Sequence, residues 1–300
     1  MRGAYVREGA PEQADARGCR VGPGMTGEDT TVRQALAHAA ARFAFSPTPR
    51  LDAELLMAHA LGVTREALLL KHLDDPAPPA FAALADRRAA HEPVAYLTGS
   101  RHFWTVELAV GPGVLVPRPD SETLIEAAVA HFRGTPGPRS VLDLGTGSGA
   151  LLLAALDRWP EARGVGVDRS PRAVAVARAN ARRLGMEARA RIVEGGWDAE
   201  PGPYDLLLCN PPYIAAGEAL PREVAAHEPH SALFAGADGL DDLRALAPIV
   251  ARRIAPGGVA CVEIGSDQGA SAAALFRAQG LEVAVRRDLA GRDRCLVATP

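Results

Sequence analysis

Short apolar runs separated by longer amphipathic stretches dominate the second half of the chain. Val141–Leu144, Gly164–Val167, Arg189–Val193, Asp205–Cys209 and Val259–Ile264 read as strands buried on both faces. Between most of them lie stretches with helical periodicity, Ala150–Arg158, Pro171–Leu184 and Leu240–Ile254. Strand and helix in alternation predict an α/β architecture, a mostly parallel sheet with helices on both faces. The end of the chain departs from that rhythm. Leu281–Arg287 and Cys295–Ala298 are strand patterns joined by a short Gly-containing link, which predicts an antiparallel pair at the sheet edge.

Upstream, the pattern is helical. Thr30 or Thr31 can cap a helix running through Leu36 to Phe43. Leu51, Leu55, Leu56 and His59 suggest a second helix, Thr64 to Leu70 a short third, and Phe81 to His91 another. A small helical domain over residues 29–98 is expected. Arg101–Pro117 has strand-type residues around Gly111-Pro112-Gly113 and predicts a β-hairpin linker over 99–119. A helix from Ser121 to Phe132 then opens a sheet-bearing domain over 120–300. Residues 1–28 are rich in Gly, Arg, Glu and Pro without periodicity, and are expected to be a disordered leader.

Composition narrows the partners. The chain has 300 residues, which suits one large and one small domain. Its net charge of -3 lacks the basic field of a protein bound to bare nucleic acid, so no direct nucleic-acid contact is expected. Cys19, Cys209, Cys261 and Cys295 show no CxxC spacing and read as small hydrophobes in a reducing compartment. No apolar run reaches membrane-spanning length, and no apolar segment follows Arg2 and Arg7. A cytoplasmic, monomeric enzyme is the expectation.

Three short segments carry chemistry. In Val141-Leu-Asp143-Leu144-Gly145-Thr146-Gly147-Ser-Gly149 a strand ends, glycines turn the chain and a helix opens, as where backbone passes close to a ligand. Asp168 ends the next strand, about 20 residues on, where a carboxylate can accept from both ribose hydroxyls of an adenosine. Asp168 could equally cap the following helix, although Ser170 is available for that. The glycine spacing is G-x-G-x-G rather than the dinucleotide G-x-G-x-x-G. It suits S-adenosylmethionine, which has no pyrophosphate to cradle and whose ammonium group can be met by Asp143.

The third segment, Asn210-Pro211-Pro212-Tyr213, follows the apolar run Asp205–Cys209. An amide nitrogen is a poor nucleophile because its lone pair is delocalised into the carbonyl, and an adenine amino group suffers similarly. The Asn210 side-chain oxygen and the Pro211 carbonyl can accept from the two N–H groups and pin the nitrogen. Proline holds that backbone still, and Tyr213 can pack against a planar amide or base. Methyl transfer to such a nitrogen is expected.

Together these segments resemble the HemK/PrmC glutamine methyltransferases, over nearly everything after residue 30. Glu92-Pro-Val-Ala-Tyr-Leu-Thr-Gly99, Arg101-His-Phe-Trp104, Pro117-Arg-Pro-Asp-Ser-Glu122, Glu228-Pro229 and Glu263-Ile-Gly265 with Gln268 are similar to further motifs of that family. The resemblance implies a seven-stranded, Rossmann-like class I methyltransferase domain. Asp143 to Gly147 would line the methionine and ribose of the cofactor, Asp168 would hold the ribose, and Trp197 would flank the adenine. Asn210 would stand between cofactor and glutamine, with Pro211, Pro212 and Tyr213 shaping the glutamine pocket. The implied substrate is the Gly-Gly-Gln loop of peptide chain release factors, docked with help from the helical domain. Gly195-Gly196 departs from the family, which has a more polar residue before the tryptophan. Arg118 and Glu122 could be substrate contacts or a brace. A ribosomal-protein glutamine methyltransferase, or an adenine amino-group methyltransferase on DNA or RNA, would share the tetrapeptide.

Overall fold

Local signals open the first helix. Thr31 Oγ1 accepts from the Gln34 amide at 3.4 Å and the Gln34 side chain accepts from the Thr31 amide at 3.1 Å, a capping box at the start of α1 (Val32–Arg42). The computed structural model describes residues 30–300, so the leader expected over 1–28 and Cys19 lie outside the described residues. α2 (Pro49–Leu61) starts on a proline and ends at Gly62 in the left-handed conformation. α3 (Arg65–Lys71) is capped by Thr64, and α4 (Pro79–Ala89) follows. A fifth helix, α5 (Val94–Thr98), forms within Glu92–Gly99, a segment with family similarity in which no helical pattern was read. These helices bury Leu36, Phe43, Leu56, Met57, Leu68 and Phe81 in one cluster.

The hairpin is shorter than the expected 99–119 and turns elsewhere. β1 (Ser100–Phe103) pairs antiparallel with β2 (Val106–Ala109), and the chain reverses at Trp104-Thr105, not at Gly111-Pro112-Gly113. Trp104 takes φ of 54°, and its amide donates to Glu122 Oε1 at 2.9 Å, which holds the turn. Gly113 has another use. Its φ is 96°, and a Cβ there would overlap the Arg172 side chain, so it allows the strand's continuation to pass close over a later helix.

After α6 (Glu122–His131) come β3 (Ser140–Leu144), α7 (Ala150–Arg158), β4 (Arg163–Asp168), α8 (Pro171–Arg183) and β5 (Ala190–Glu194). Then follow β6 (Tyr204–Cys209), α9 (Arg222–His227), α10 (Asp241–Arg253), β7 (Ile254–Glu263), α11 (Gly269–Arg277), β8 (Glu282–Arg287) and β9 (Asp293–Thr299). Seven strands form one sheet in the order β5-β4-β3-β6-β7-β9-β8. The first five are parallel, β9 runs antiparallel to β7, and β8 closes the edge. The seven-stranded α/β expectation and the antiparallel end are both met. β7 begins at Ile254, which was read as helical; it pairs with Tyr204 before an irregularity in the ladder. The strand order reverses between β3 and β6, which opens a crevice at their C-terminal ends.

One buried cation ties the two parts together. Arg88 of α4 is 3% exposed. It donates to Asp52 of α2 at 2.8 Å, to the Glu92 carbonyl at 3.1 Å and to Glu223 of α9 at 2.6 Å. Breaking a buried pair from one side strands the other charge. Arg88→Ala is therefore expected to destabilise the protein by about 3–5 kcal/mol, measured by urea unfolding, with Glu223→Gln costing clearly less because that carboxylate is partly exposed.

Candidate active site

The parallel register sets the site. Leu144 pairs with Val167 on one side and Cys209 on the other, so the residues that follow β3, β4 and β6 leave the sheet side by side. The turn after β3 is clamped to β4. The Gly145 and Thr146 amides both donate to the Val167 carbonyl, at 2.8 and 2.9 Å. The Gly147 amide donates to Asp168 Oδ2 at 2.9 Å, and the Ser170 amide to Asp168 Oδ1 at the same distance. Ser170 caps α8 by accepting from Ala173, so Asp168 is not needed as the cap. Gly145 has φ of 73°, and a Cβ on it would come within 3.2 Å of the Trp197 ring, so the indole edge lies against the glycine turn. Trp197 is held from the far side, its Nε1 donating to Asp242 Oδ1 at 3.0 Å.

Asp143 sits at the end of β3, almost wholly buried. Its Oδ2 accepts from Thr146 Oγ1 at 2.6 Å and from the Leu152 amide at 3.3 Å, while Oδ1 has no partner. Burial pushes its pKa up to about 7; the Thr146 and Leu152 hydrogen bonds oppose the rise and the Asp168 charge adds to it.

A cavity of about 230 Å³ opens over this turn. Of the residues expected from sequence, Gly145, Thr146, Gly147, Asp168, Trp197, Asn210 and Pro212 line it. Gly195 and Gly196, where a more polar residue was expected, also line it. Phe103 of the hairpin and Gly113, Val114 and Leu115 of the strap beyond it complete the wall. Asp143, Leu144, Pro211 and Tyr213 are not among its lining residues.

A second cavity, about 190 Å³, adjoins the first. Tyr213, Glu263 and Arg118 supply its polar wall, and Ile214, Leu220, Val224 and Leu233 are among its apolar lining. Asn210 belongs to both cavities. Its Nδ2 donates to Ser121 Oγ at 3.1 Å, which fixes the amide plane. The Tyr213 hydroxyl donates to Glu263 Oε1 at 3.2 Å, and Gln268 Nε2 donates to the Tyr213 carbonyl at 2.9 Å. Arg118 pairs with the buried Glu228, which also accepts from the Val116 amide, so Arg118 both braces the strap and lines the second cavity. Glu122 holds the hairpin turn.

Sequence reading did not single out Ser121, the strap, or Glu263 as part of a site. Ser121 and Glu263 were both read within family motifs, Pro117–Glu122 and Glu263-Ile-Gly265, but neither was given a role.

The buried carboxyls make stability depend on pH. The Asp143 carboxyl in the folded protein titrates near 7, above its value of 3.8 in an open chain. Between those values the unfolded chain has released a proton that the folded protein still holds, so stability falls as pH rises. The unliganded protein is expected to lose up to roughly 4 kcal/mol from this carboxyl alone between about pH 4 and pH 8. Asp143→Asn should flatten the slope in urea unfolding series across that range.

Comparison with known proteins agrees with this arrangement. Residues 34–99 match the family model for the PrmC N-terminal domain, and residues 121–228 match the methyltransferase small domain. The release factor glutamine methyltransferase of Rhodospirillum rubrum is 46% identical over 257 residues, covering 83% of this chain and 78% of that protein. The protein of the same name from Bordetella pertussis is 47% identical over 255 residues, covering 82% and 93%. That from Moorella thermoacetica is 42% identical over 279 residues, covering 89% and 98%. With identity at this level across both the helical part and the sheet, the chain belongs to the release factor glutamine methyltransferase family.

Proposed function

We propose that this chain transfers the methyl group of S-adenosylmethionine to the side-chain amide nitrogen of the glutamine in the Gly-Gly-Gln motif of peptide chain release factors. The observation that carries the reading is the shared wall at Asn210: with Leu115 and Ala232, it borders both a glycine-lined cavity and a second cavity of side-chain size, and it alone of the three has a polar side chain. The names of the relatives supply the substrate class.

The first cavity fits the cofactor. Asp168 offers the ribose a carboxylate already oriented by two backbone amides, and Trp197 offers the adenine a flat flank. Asp143 acts from behind the turn. It fixes Thr146, and its unpartnered oxygen attracts the cofactor's ammonium group, whose charge in turn keeps the carboxyl ionised. When bound, S-adenosylmethionine supplies an electrophilic methyl group on a sulfonium.

The second cavity receives the glutamine side chain. With Nδ2 held by Ser121, Asn210 turns Oδ1 toward the substrate, where it accepts one N–H of the amide. Pro211 lines neither cavity but follows Asn210 directly in the chain; its carbonyl is assigned the other N–H, and the proline ring keeps that backbone from moving. Both acceptors stabilise the positive charge that grows on the nitrogen as its lone pair is used. The methylated nitrogen is strongly acidic and gives its proton to water, so no dedicated base is required. The helices over 29–98 serve as the docking unit for the release factor, in a monomeric, cytoplasmic enzyme.

Mass spectrometry of a release factor incubated with enzyme and labelled cofactor tests the reading directly. A mass gain on the Gly-Gly-Gln peptide is expected; a gain only on ribosomal protein, or only on nucleic acid, would overturn it. Asn210→Ala should lower turnover by roughly 100- to 1,000-fold with only a modest change in cofactor affinity. Asp168→Ala should weaken cofactor binding by roughly 10- to 100-fold in calorimetry, the size of a lost charge-assisted hydrogen bond.

A further inference from the structure

Among the described residues, three buried side-chain atoms lack a hydrogen-bond partner: Arg101 Nε, Asp143 Oδ1 and Glu263 Oε2. Of the three residues, Glu263 alone lines either of the two cavities described. Its surroundings are set from several elements. Tyr213, on the loop after β6, occupies Oε1. Asp120 and Ser121 approach from the start of α6, Cys295 pairs with Glu263 in the β7–β9 ladder, and Arg118 stands in the wall of the same cavity. Arg294 lies near but is already shared between Asp288 at 3.3 Å and Asp120 at 3.4 Å. Glu263 is thus an almost fully buried carboxyl in the wall of the second cavity, with Ser121 and Tyr213 bonding to it from neighbouring elements.

We infer that Glu263 determines the choice of a neutral amide over a carboxylate: its charge, in the wall of the second cavity, repels an acidic side chain of the same shape. This rests on the proposed reading of that cavity as the glutamine site. Glutamine and glutamate are nearly isosteric, so shape alone separates them poorly. A fixed anion in a low-dielectric pocket separates them by charge, because two carboxylates placed together cannot both stay ionised. The same anion serves Asn210 indirectly. Ser121, which holds the Asn210 amide, also favours the ionised form of Glu263, and Tyr213 bonds to it from the opposite wall.

The discrimination should depend on pH. Burial pushes the Glu263 carboxyl up to about 7, with Ser121, Arg294 and Tyr213 opposing the rise and Asp120 adding to it. Below that pH the carboxyl is neutral and can share a proton with a glutamate; above it, glutamate is excluded.

The experiment uses the full chain, a release factor with its Gly-Gly-Gln loop, and the same factor carrying Gly-Gly-Glu as a competitive inhibitor. Inhibition by the Gly-Gly-Glu factor, relative to the KM of the Gly-Gly-Gln factor, is followed from pH 6 to pH 8 at saturating cofactor. The wild-type protein should bind the glutamate form at least roughly tenfold more weakly at pH 8 than at pH 6, as ionisation of one group near pH 7 requires. Glu263→Gln should hold that ratio within about twofold over the same range, while retaining part of its methylation rate because it can still accept from Tyr213. A wild-type ratio that does not move with pH, or a Glu263→Gln protein that keeps the wild-type pH dependence, overturns the inference. If Glu263→Gln does not fold, the wild-type pH series decides alone. Failure of the wild-type protein to methylate the Gly-Gly-Gln factor at any pH would instead sink the proposed function, and the two failures are separately visible.

Discussion

The register of three parallel strands governs this molecule. Leu144 is bonded between Val167 and Cys209, so the glycine turn, Asp168 and Asn210 emerge at one edge of the sheet, at the point where strand order reverses. β3 and β6 are buried along nearly their whole length and feed the apolar clusters on both faces of the sheet, so a shift of register would disturb the packing of both layers at once. The apolar residues of β3, β4 and β6 thereby hold the candidate site residues side by side. The site is thus a consequence of core packing.

That position is electrostatically expensive. Asp143 and Glu263 are both almost fully buried carboxylates with one oxygen lacking a partner, and burial raises the pKa of each. A sequence selected only for stability would place apolar residues there. Asp143 lies beneath the turn that borders the first cavity, and Glu263 lies in the wall of the second.

Distant parts of the chain reach the second cavity through ion pairs. Arg88 joins the helical part to α9 at Glu223, and Arg118 joins the strap to Glu228 just beyond the end of α9. Between those anchors lies Val224, which lines the cavity. The short helix has no fully buried residue of its own, so its place depends on these bonds rather than on a core. The strap's Leu115 lines both cavities, so the linker shapes both cavities, whereas no described residue of the helical part lines either.

The amino-acid sequence by itself determined what depends on near neighbours. Apolar runs specified the five parallel strands and the antiparallel end, glycines marked the turn at 145–149, and Asn210-Pro211-Pro212-Tyr213 was visible because four residues in a row carry its chemistry. The hairpin turn was misplaced because a Gly-Pro-Gly segment is a stronger local turn signal than Trp104-Thr105, whose turn is held by Glu122 from outside the hairpin. Only the tertiary structure decided the polar wiring. Asn210 and Ser121 are 89 residues apart, Tyr213 and Glu263 are 50 apart, and Arg88 and Glu223 are 135 apart. Such pairs leave no periodicity or spacing to read, because they form only after separate elements have packed, and the energy that brings them together comes from the apolar faces rather than from the polar groups themselves.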